Sequence, residues 1–163
     1  MGEYHILAGS FLDAFVYLGG SGATLGLIIA MIIAGRKRYK QMIGLGGAPG
    51  IFQINEPILF GLPIVLNPIW FIPFVIGPVI TTIISYLAVY YGIVPPITAK
   101  IPWVTPPIVG GYLATGGSFL GAGLAALNLI ISTVIYLPFV YAQVKIDSKN
   151  KTELTKDSDS VSV

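Results

Sequence analysis

Apolar residues in this chain run in long blocks separated by short glycine- and proline-rich or basic stretches. A helix needs about 20 mostly apolar residues to cross a bilayer. Three blocks meet that length: Phe11 to Ala34, Asn67 to Tyr91 and Gly121 to Ala142. The first is interrupted by Gly19-Gly20-Ser21-Gly22, which predicts two half-helices. The second contains Pro73 and Pro78, which predict a kink or a broken start. Two more apolar blocks, Ile43 to Leu66 and Ile93 to Leu120, carry too many Gly and Pro residues for a plain span. They are predicted to be re-entrant hairpins entering from opposite faces. Irregular backbone at membrane depth is tolerated only where it packs in protein or lines a cavity, so two hairpins imply a cavity near the midplane. The predicted class is all-α integral membrane, with about three transmembrane helices and two hairpins. Residues 1–144 form the membrane part. Residues 145–163 are polar and are predicted to be a disordered tail.

Composition supports lipid as the solvent. Charged residues make up 10% of the chain and hydrophobic ones 55%, against about 25% charged in soluble domains. From Gln41 to Ala99 the only charged side chain is Glu56, and from Ile101 to Val144 there is none. A mean hydropathy of +0.83 excludes a disordered chain. Arg36, Lys37, Arg38 and Lys40 follow the first span, and Lys145, Lys149, Lys151 and Lys156 follow the third. Excess Lys and Arg mark the cytoplasmic side. Both clusters are therefore placed there, with the C-terminus cytoplasmic and the start of the chain, bearing Glu3, outside. The first residues lack a basic segment before an apolar run, so no signal peptide is expected. There is no cysteine and a single histidine, His5, read as an ordinary loop residue. No metal site, cofactor or nucleic-acid partner is expected.

Glu56 is the leading candidate for chemistry. It lies in Gln53-Ile54-Asn55-Glu56-Pro57, inside a predicted hairpin. An ionisable residue at membrane depth costs at least ~2.5 kcal/mol on insertion scales and marks a functional site by default. Pro57 biases Glu56 away from helical geometry. Asn55 and Glu56 together offer a donor-acceptor and an acceptor, which suits the hydroxyls of a neutral polyol; the competing reading is a carboxylate that caps a helix. Trp103, in the other hairpin, offers a flat apolar ring to stack on a sugar and an N–H to bond a hydroxyl. Equally, it is a residue type enriched at membrane boundaries. Lys100 is read as snorkelling to the interface. Gly19 to Gly22 bring either backbone amides to a ligand or close helix packing. The run from Gly44 to Gly50 lacks the Gly-Lys-Ser/Thr ending of a phosphate loop. The basic run from Arg36 to Lys40 is a topology signal first, and a docking surface for a soluble partner second.

The stretch Gly50-Ile51-Phe52-Gln53-Ile54-Asn55-Glu56-Pro57-Ile58-Leu59-Phe60-Gly61-Leu62-Pro63 resembles the signature of enzyme IIC, the membrane component of the bacterial sugar phosphotransferase system. The lactose/cellobiose branch is the nearest in pattern. Gly19 to Leu25, Ile101-Pro102-Trp103 with Pro106-Pro107, and Gly110-Gly111-Tyr112 are similar to that branch too. The resemblance implies a multi-pass permease of the bacterial cytoplasmic membrane. It would bind and translocate a sugar, such as the β-disaccharides cellobiose or lactose, while a cytoplasmic IIB component donates a phosphoryl group from a phosphocysteine and IIA feeds IIB. The phosphoryl donor is thus expected on a partner, and the full-length protein is expected to be a homodimer in lipid. The resemblance makes Asn55, Glu56 and Trp103 substrate-binding residues. Glu56 is also a candidate general base. Family members are much longer, so the chain is expected to be the C-terminal portion of a larger transporter fold, lacking an upstream active-site histidine and inactive alone. The rival expectation is a proton-coupled secondary sugar transporter in which Glu56 relays the proton.

Overall fold

The computed structural model describes residues 10–161, with side chains described as far as Lys149. His5 and Glu3 lie outside the described residues. The described secondary structure is all helical. In chain order the helices are α1 (Phe11–Phe15), α2 (Thr24–Ala34), α3 (Lys40–Ile51), α4 (Glu56–Gly61), α5 (Pro68–Tyr90), α6 (Pro107–Ala114) and α7 (Phe119–Val161), with a 3-10 turn at Ile64–Leu66. Among the described residues two helices are long and apolar enough to cross a membrane: Pro68–Tyr90 and the Phe119–Lys149 portion of α7. Only 28% of the most apolar window of the first is buried inside the chain, and 39% of the second. The core helix of a soluble protein would be mostly covered. These faces instead need lipid or further protein around them.

α7 is the mast of the assembly and packs against α2, α5 and α6. It crosses two separate cores. One gathers Phe11, Phe15, Val94, Ile101, Ala114, Leu124 and Ala125. The other gathers Leu27, Met31, Ile58, Trp70, Tyr136 and Val140. Between them lies the break in the first predicted span, residues 16–23. Gly19, Gly20 and Gly22 adopt φ of 89°, 97° and 80° there, and Ala23 follows at 53°. Such values suit glycine and cost an alanine strain.

An interrupted helix frees carbonyls that cannot be left bare in an apolar medium. Here every carbonyl from Phe15 to Ala23 has a partner. Backbone amides of Leu18, Gly20, Leu25 and Ala23 take those of Val16, Tyr17, Leu18 and Gly20. Thr24 donates to Gly19 O at 2.6 Å and Asn55 to Ser21 O at 2.7 Å. The rest come from one face of α7, at four-residue spacing: Asn128 to Phe15 O at 2.9 Å, Ser132 to Ala23 O at 3.0 Å and Tyr136 to Gly22 O at 2.7 Å. Asn128 also donates to Ser85 Oγ on α5 at 2.7 Å, and its Oδ1 is buried and unpaired among the described residues.

Three local features add detail to the sequence expectations. α5 runs unbroken through Pro73 and Pro78. Asn67 caps it by accepting from Ile69 N at 3.0 Å, and Pro68 occupies its first position, where the missing N–H costs nothing. Pro78 is followed by Thr82, whose hydroxyl donates back to Pro78 O at 2.7 Å. α3 is helical through its glycines and Pro49. The glycines leave room for neighbours: a side chain at Gly46 would run into Ile58, and one at Gly50 would meet Ile28 at 2.7 Å. The tail, predicted to be disordered from 145, continues α7 as far as Val161. At its start Asp147 is anchored: Arg38 Nε donates to Oδ2 at 3.1 Å, Tyr39 Oη to the same oxygen at 3.4 Å and Gln143 Nε2 to Oδ1 at 3.0 Å. No Gly or Pro follows Pro138 to stop the helix. Burial, and then the Asp147 carboxylate beside it, hold the Tyr39 phenol well above its ordinary pKa, so it stays a donor at neutral pH.

Replacing Tyr136 with Phe keeps the ring and strands the Gly22 carbonyl. The variant is expected to lose about 1–2 kcal/mol of stability, read by denaturant unfolding in detergent micelles. Unaltered stability would mean that another group takes over the Gly22 carbonyl.

Candidate functional site

The turn between α3 and α4, residues 52–55, is built so that alternate side chains point inward. Gln53 and Asn55 are buried, while Phe52, Ile54 and Glu56 are exposed. Pro49 O receives the amides of both Phe52 and Ile54, at 2.9 and 3.0 Å, which closes α3 tightly. Gln53 then takes φ of 64°, the left-handed region rare for a residue with a Cβ. Asn55 opens α4, its carbonyl accepting the amides of Ile58 and Leu59 at 3.0 Å, and Pro57 lies in the first turn.

The two buried amides join this turn to other parts of the chain. Asn55 Nδ2 donates to Ser21 O at 2.7 Å and to Ser21 Oγ at 3.2 Å, in the break of the first span. Gln53 Nε2 donates to Asp13 O at 3.1 Å and to Thr105 O at 2.8 Å. Thr105 closes a turn on Pro102, with N to Pro102 O at 3.0 Å and Oγ1 to the same oxygen at 2.6 Å. That turn carries Trp103, which is 57% exposed. The loop is anchored further by Ile101 N, which donates to Ser10 Oγ at 2.8 Å.

Three interrupted segments therefore converge: 16–23, 52–56 and 101–106. Gly20 is pressed into the junction; a Cβ there would lie 2.6 Å from Asn55 Cγ and 2.8 Å from Gln53 O. Of the predicted site residues, Glu56 stands at the start of α4 with its side chain exposed, and Trp103 is exposed on the neighbouring turn. Neither makes a side-chain hydrogen bond or ion pair with another described residue. Their segments are linked through Gln53 and Thr105, and no direct Glu56–Trp103 bond exists among the described residues. Asn55 is buried, and its amide protons face Ser21. Lys100 is exposed at the edge of the same loop.

Two residues of the junction lay outside the sequence expectations. Gln53 showed only as a polar residue in an apolar run. Asp13 falls within the first apolar block as its only charged residue; it is half-buried, on α1, and enters the junction through its backbone carbonyl. No group of three or more metal-ligating side chains is present among the described residues.

The family model described as "Phosphotransferase system, EIIC" matches residues 2–78. The cellobiose-specific EIIC component of Lactococcus lactis is 51% identical over 143 residues, 87% of this chain and 28% of that protein. The lichenan permease IIC component of Bacillus subtilis is 43% identical, over 93% of this chain and 34% of the relative. The crystal structure of the transporter ChbC, the IIC component from the N,N'-diacetylchitobiose-specific phosphotransferase system, superposes with a TM-score of 0.82. It is 42% identical and covers 93% of this chain and 34% of that one. The chain belongs to the enzyme IIC family of the phosphotransferase system. This enzyme IIC segment spans about a third of the length of the curated relatives it matches. The family's members are bacterial membrane proteins, and α5 and α7 supply the apolar length that requires.

Within this enzyme IIC segment, Gly20→Ala would put a methyl group into Asn55 and impose a φ of 97° on a residue with a Cβ. The expected outcome is a loss of about 1–3 kcal/mol together with faster hydrogen exchange of the 52–56 amides. Exchange no faster than in the unsubstituted chain would show that the junction is looser than described.

Proposed function

We propose that residues 1–144 supply part of the sugar chamber of a phosphotransferase-system permease. Glu56 and Trp103 would be its sugar-facing residues, and Asn55 would fix the turn that presents the acid. The observation that carries this reading is the meeting of three broken segments beside Glu56, an exposed carboxylate with no partner among the described residues. A carboxylate that caps a helix would be expected to accept a backbone amide of the first turn. A carboxylate facing hydroxyls needs to remain available, and charge-assisted bonds to a polyol are its strongest neutral-ligand contacts. A β-disaccharide such as cellobiose or lactose is the proposed substrate, supported by relatives named as cellobiose-specific and lactose-specific components.

Translocation would be coupled to phosphorylation. A IIB partner, supplied in turn by IIA, carries the phosphoryl group. Relatives from Streptococcus mutans and Lacticaseibacillus casei are named as lactose-specific EIICB components, in keeping with a IIB partner. In the transfer the P–S bond of the donor breaks, the P–O bond to a sugar hydroxyl forms, and the hydroxyl proton passes to Glu56 as general base. The junction would position that hydroxyl in line and keep water away.

The proposed topology has three crossings, a re-entrant hairpin formed by α3 and α4, and a second by residues 93–120 entering from the opposite face. The Arg38–Asp147 pair at 3.1 Å sets the basic cluster 36–40 beside the end of the apolar portion of α7, which supports one shared, cytoplasmic face for both clusters and for the C-terminus. The full-length protein is proposed to be a homodimer, with this chain as its C-terminal part and inactive alone.

The test grafts residues 1–144 into the L. lactis cellobiose component in place of its counterpart. Glu56→Gln in the graft is expected to lower phosphoenolpyruvate-dependent formation of cellobiose phosphate by about a hundredfold or more. Unimpaired formation would remove Glu56 from the site. Accumulation of unmodified cellobiose driven by a proton gradient would instead identify a secondary transporter.

A further inference from the structure

Gln53 performs a task that its neighbours cannot. It lies three residues before Glu56, and its amide accepts a place between two other segments of the chain. Both Nε2 protons are committed, to Asp13 O at 3.1 Å and Thr105 O at 2.8 Å. Because both acceptors are carbonyls, the amide can be oriented only with its nitrogen toward them. The side chain is buried, with 4% of the residue exposed. The backbone is held at φ of 64° to deliver it there, a conformation that persists only where the surroundings enforce it.

The two carbonyls are otherwise spare. α1 ends after five residues, and the Tyr17 amide that would bond Asp13 O in a regular helix goes to Leu12 O at 2.8 Å instead. Thr105 belongs to the turn on Pro102, where its own amide and hydroxyl are used and its carbonyl is free to accept. One primary amide at this point therefore satisfies a carbonyl from each flanking segment. No other uncharged side chain of this length offers two protons from a single atom; a hydroxyl offers one, and a carboxylate none.

We infer that Gln53 is the positioning residue of the sugar site. It fixes the distance between the turn that presents Glu56 and the turn that presents Trp103, so that both can engage one sugar. This rests on the sugar-site reading above and adds to it a residue that touches no substrate. Loss of Gln53 should thus weaken sugar recognition without removing either sugar-facing side chain. A KM effect is expected to dominate over a kcat effect, since the acid that takes the proton is still present.

Two measurements separate this inference from the reading it depends on. The chain has no cysteine, so spin labels can be placed on cysteines introduced at Leu45 of α3 and Val109 of α6, both exposed. In the chain reconstituted into lipid vesicles, a single narrow distance is expected. Gln53→Met, which keeps length but removes both donors, is expected to broaden and lengthen it. Gln53→Glu is the second variant. Its carboxyl donates one bond only when protonated, so its distance should narrow again on acidification over a range in which the unsubstituted chain does not change. An unchanged distance in Gln53→Met overturns the inference. If that variant does not fold, a pH-independent distance in Gln53→Glu overturns it.

The second measurement uses the grafted permease and cellobiose. Gln53→Met is expected to raise KM about tenfold, the order of one to two lost hydrogen bonds, with kcat changed less. A kcat loss at unchanged KM, or no change in either, overturns positioning. If Glu56→Gln is silent in the same assay while the spin-label distance still depends on Gln53, the sugar-site reading has failed and the strut stands as a purely structural one.

Discussion

A helix that stops inside an apolar medium exposes carbonyls that nothing in the solvent will satisfy, and the rest of this structure is organised around meeting that demand. From Val16 to Ala23 the chain abandons helical geometry, and each carbonyl from Phe15 to Ala23 is nonetheless paired. Asn128, Ser132 and Tyr136 form a polar edge on α7 at a spacing that keeps them on one face. That edge explains why a long apolar helix carries buried Asn, Ser and Tyr, and why it sits at the centre of the fold. The same demand brings Asn55 to Ser21 and so couples the break to the α3–α4 turn.

The functional geometry follows from the same constraint. The break takes Asn55 from the α3–α4 turn, Gln53 of the same turn bonds to Asp13 O and Thr105 O, and the alternate residues face outward. Gln53 and Asn55 point in, and Glu56 stands out. The Trp103 turn is brought alongside because its Thr105 carbonyl is the second acceptor of Gln53. Irregular backbone is tolerated at membrane depth where protein surrounds it, and here three irregular segments brace one another. Glycine at position 20 is required because the junction has no room for a methyl group.

Much of this was legible in the sequence. The apolar lengths of α5 and α7 exceed what a soluble core helix needs, and the Gly19 to Gly22 run announced the break by its lack of side chains. Glu56 stood out as the only charge in a long apolar stretch. What the sequence concealed was tertiary. α3 reads as too rich in glycine for a plain span; it is a short helix whose glycines admit Ile58 and Ile28. The polar tail reads as disordered, yet Asp147 is held by Arg38, Tyr39 and Gln143. Gln53 has no local signature, because its partners are 40 and 52 residues away. Asp13 was hidden by lying in a block that is otherwise apolar. Asn55 reads as a sugar ligand from its chemistry, and the structure adds that its amide protons bond to Ser21.

The central claim is that the turn bearing Glu56 and the turn bearing Trp103 form one chamber wall. A structure of the grafted permease in lipid with cellobiose bound tests it most directly. The account predicts a sugar hydroxyl within about 2.6–3.2 Å of a Glu56 oxygen, a sugar ring against the Trp103 indole, and Gln53 still bonded to both carbonyls. Cellobiose bound away from Glu56, or Gln53 turned out of the junction in the occupied state, would contradict it.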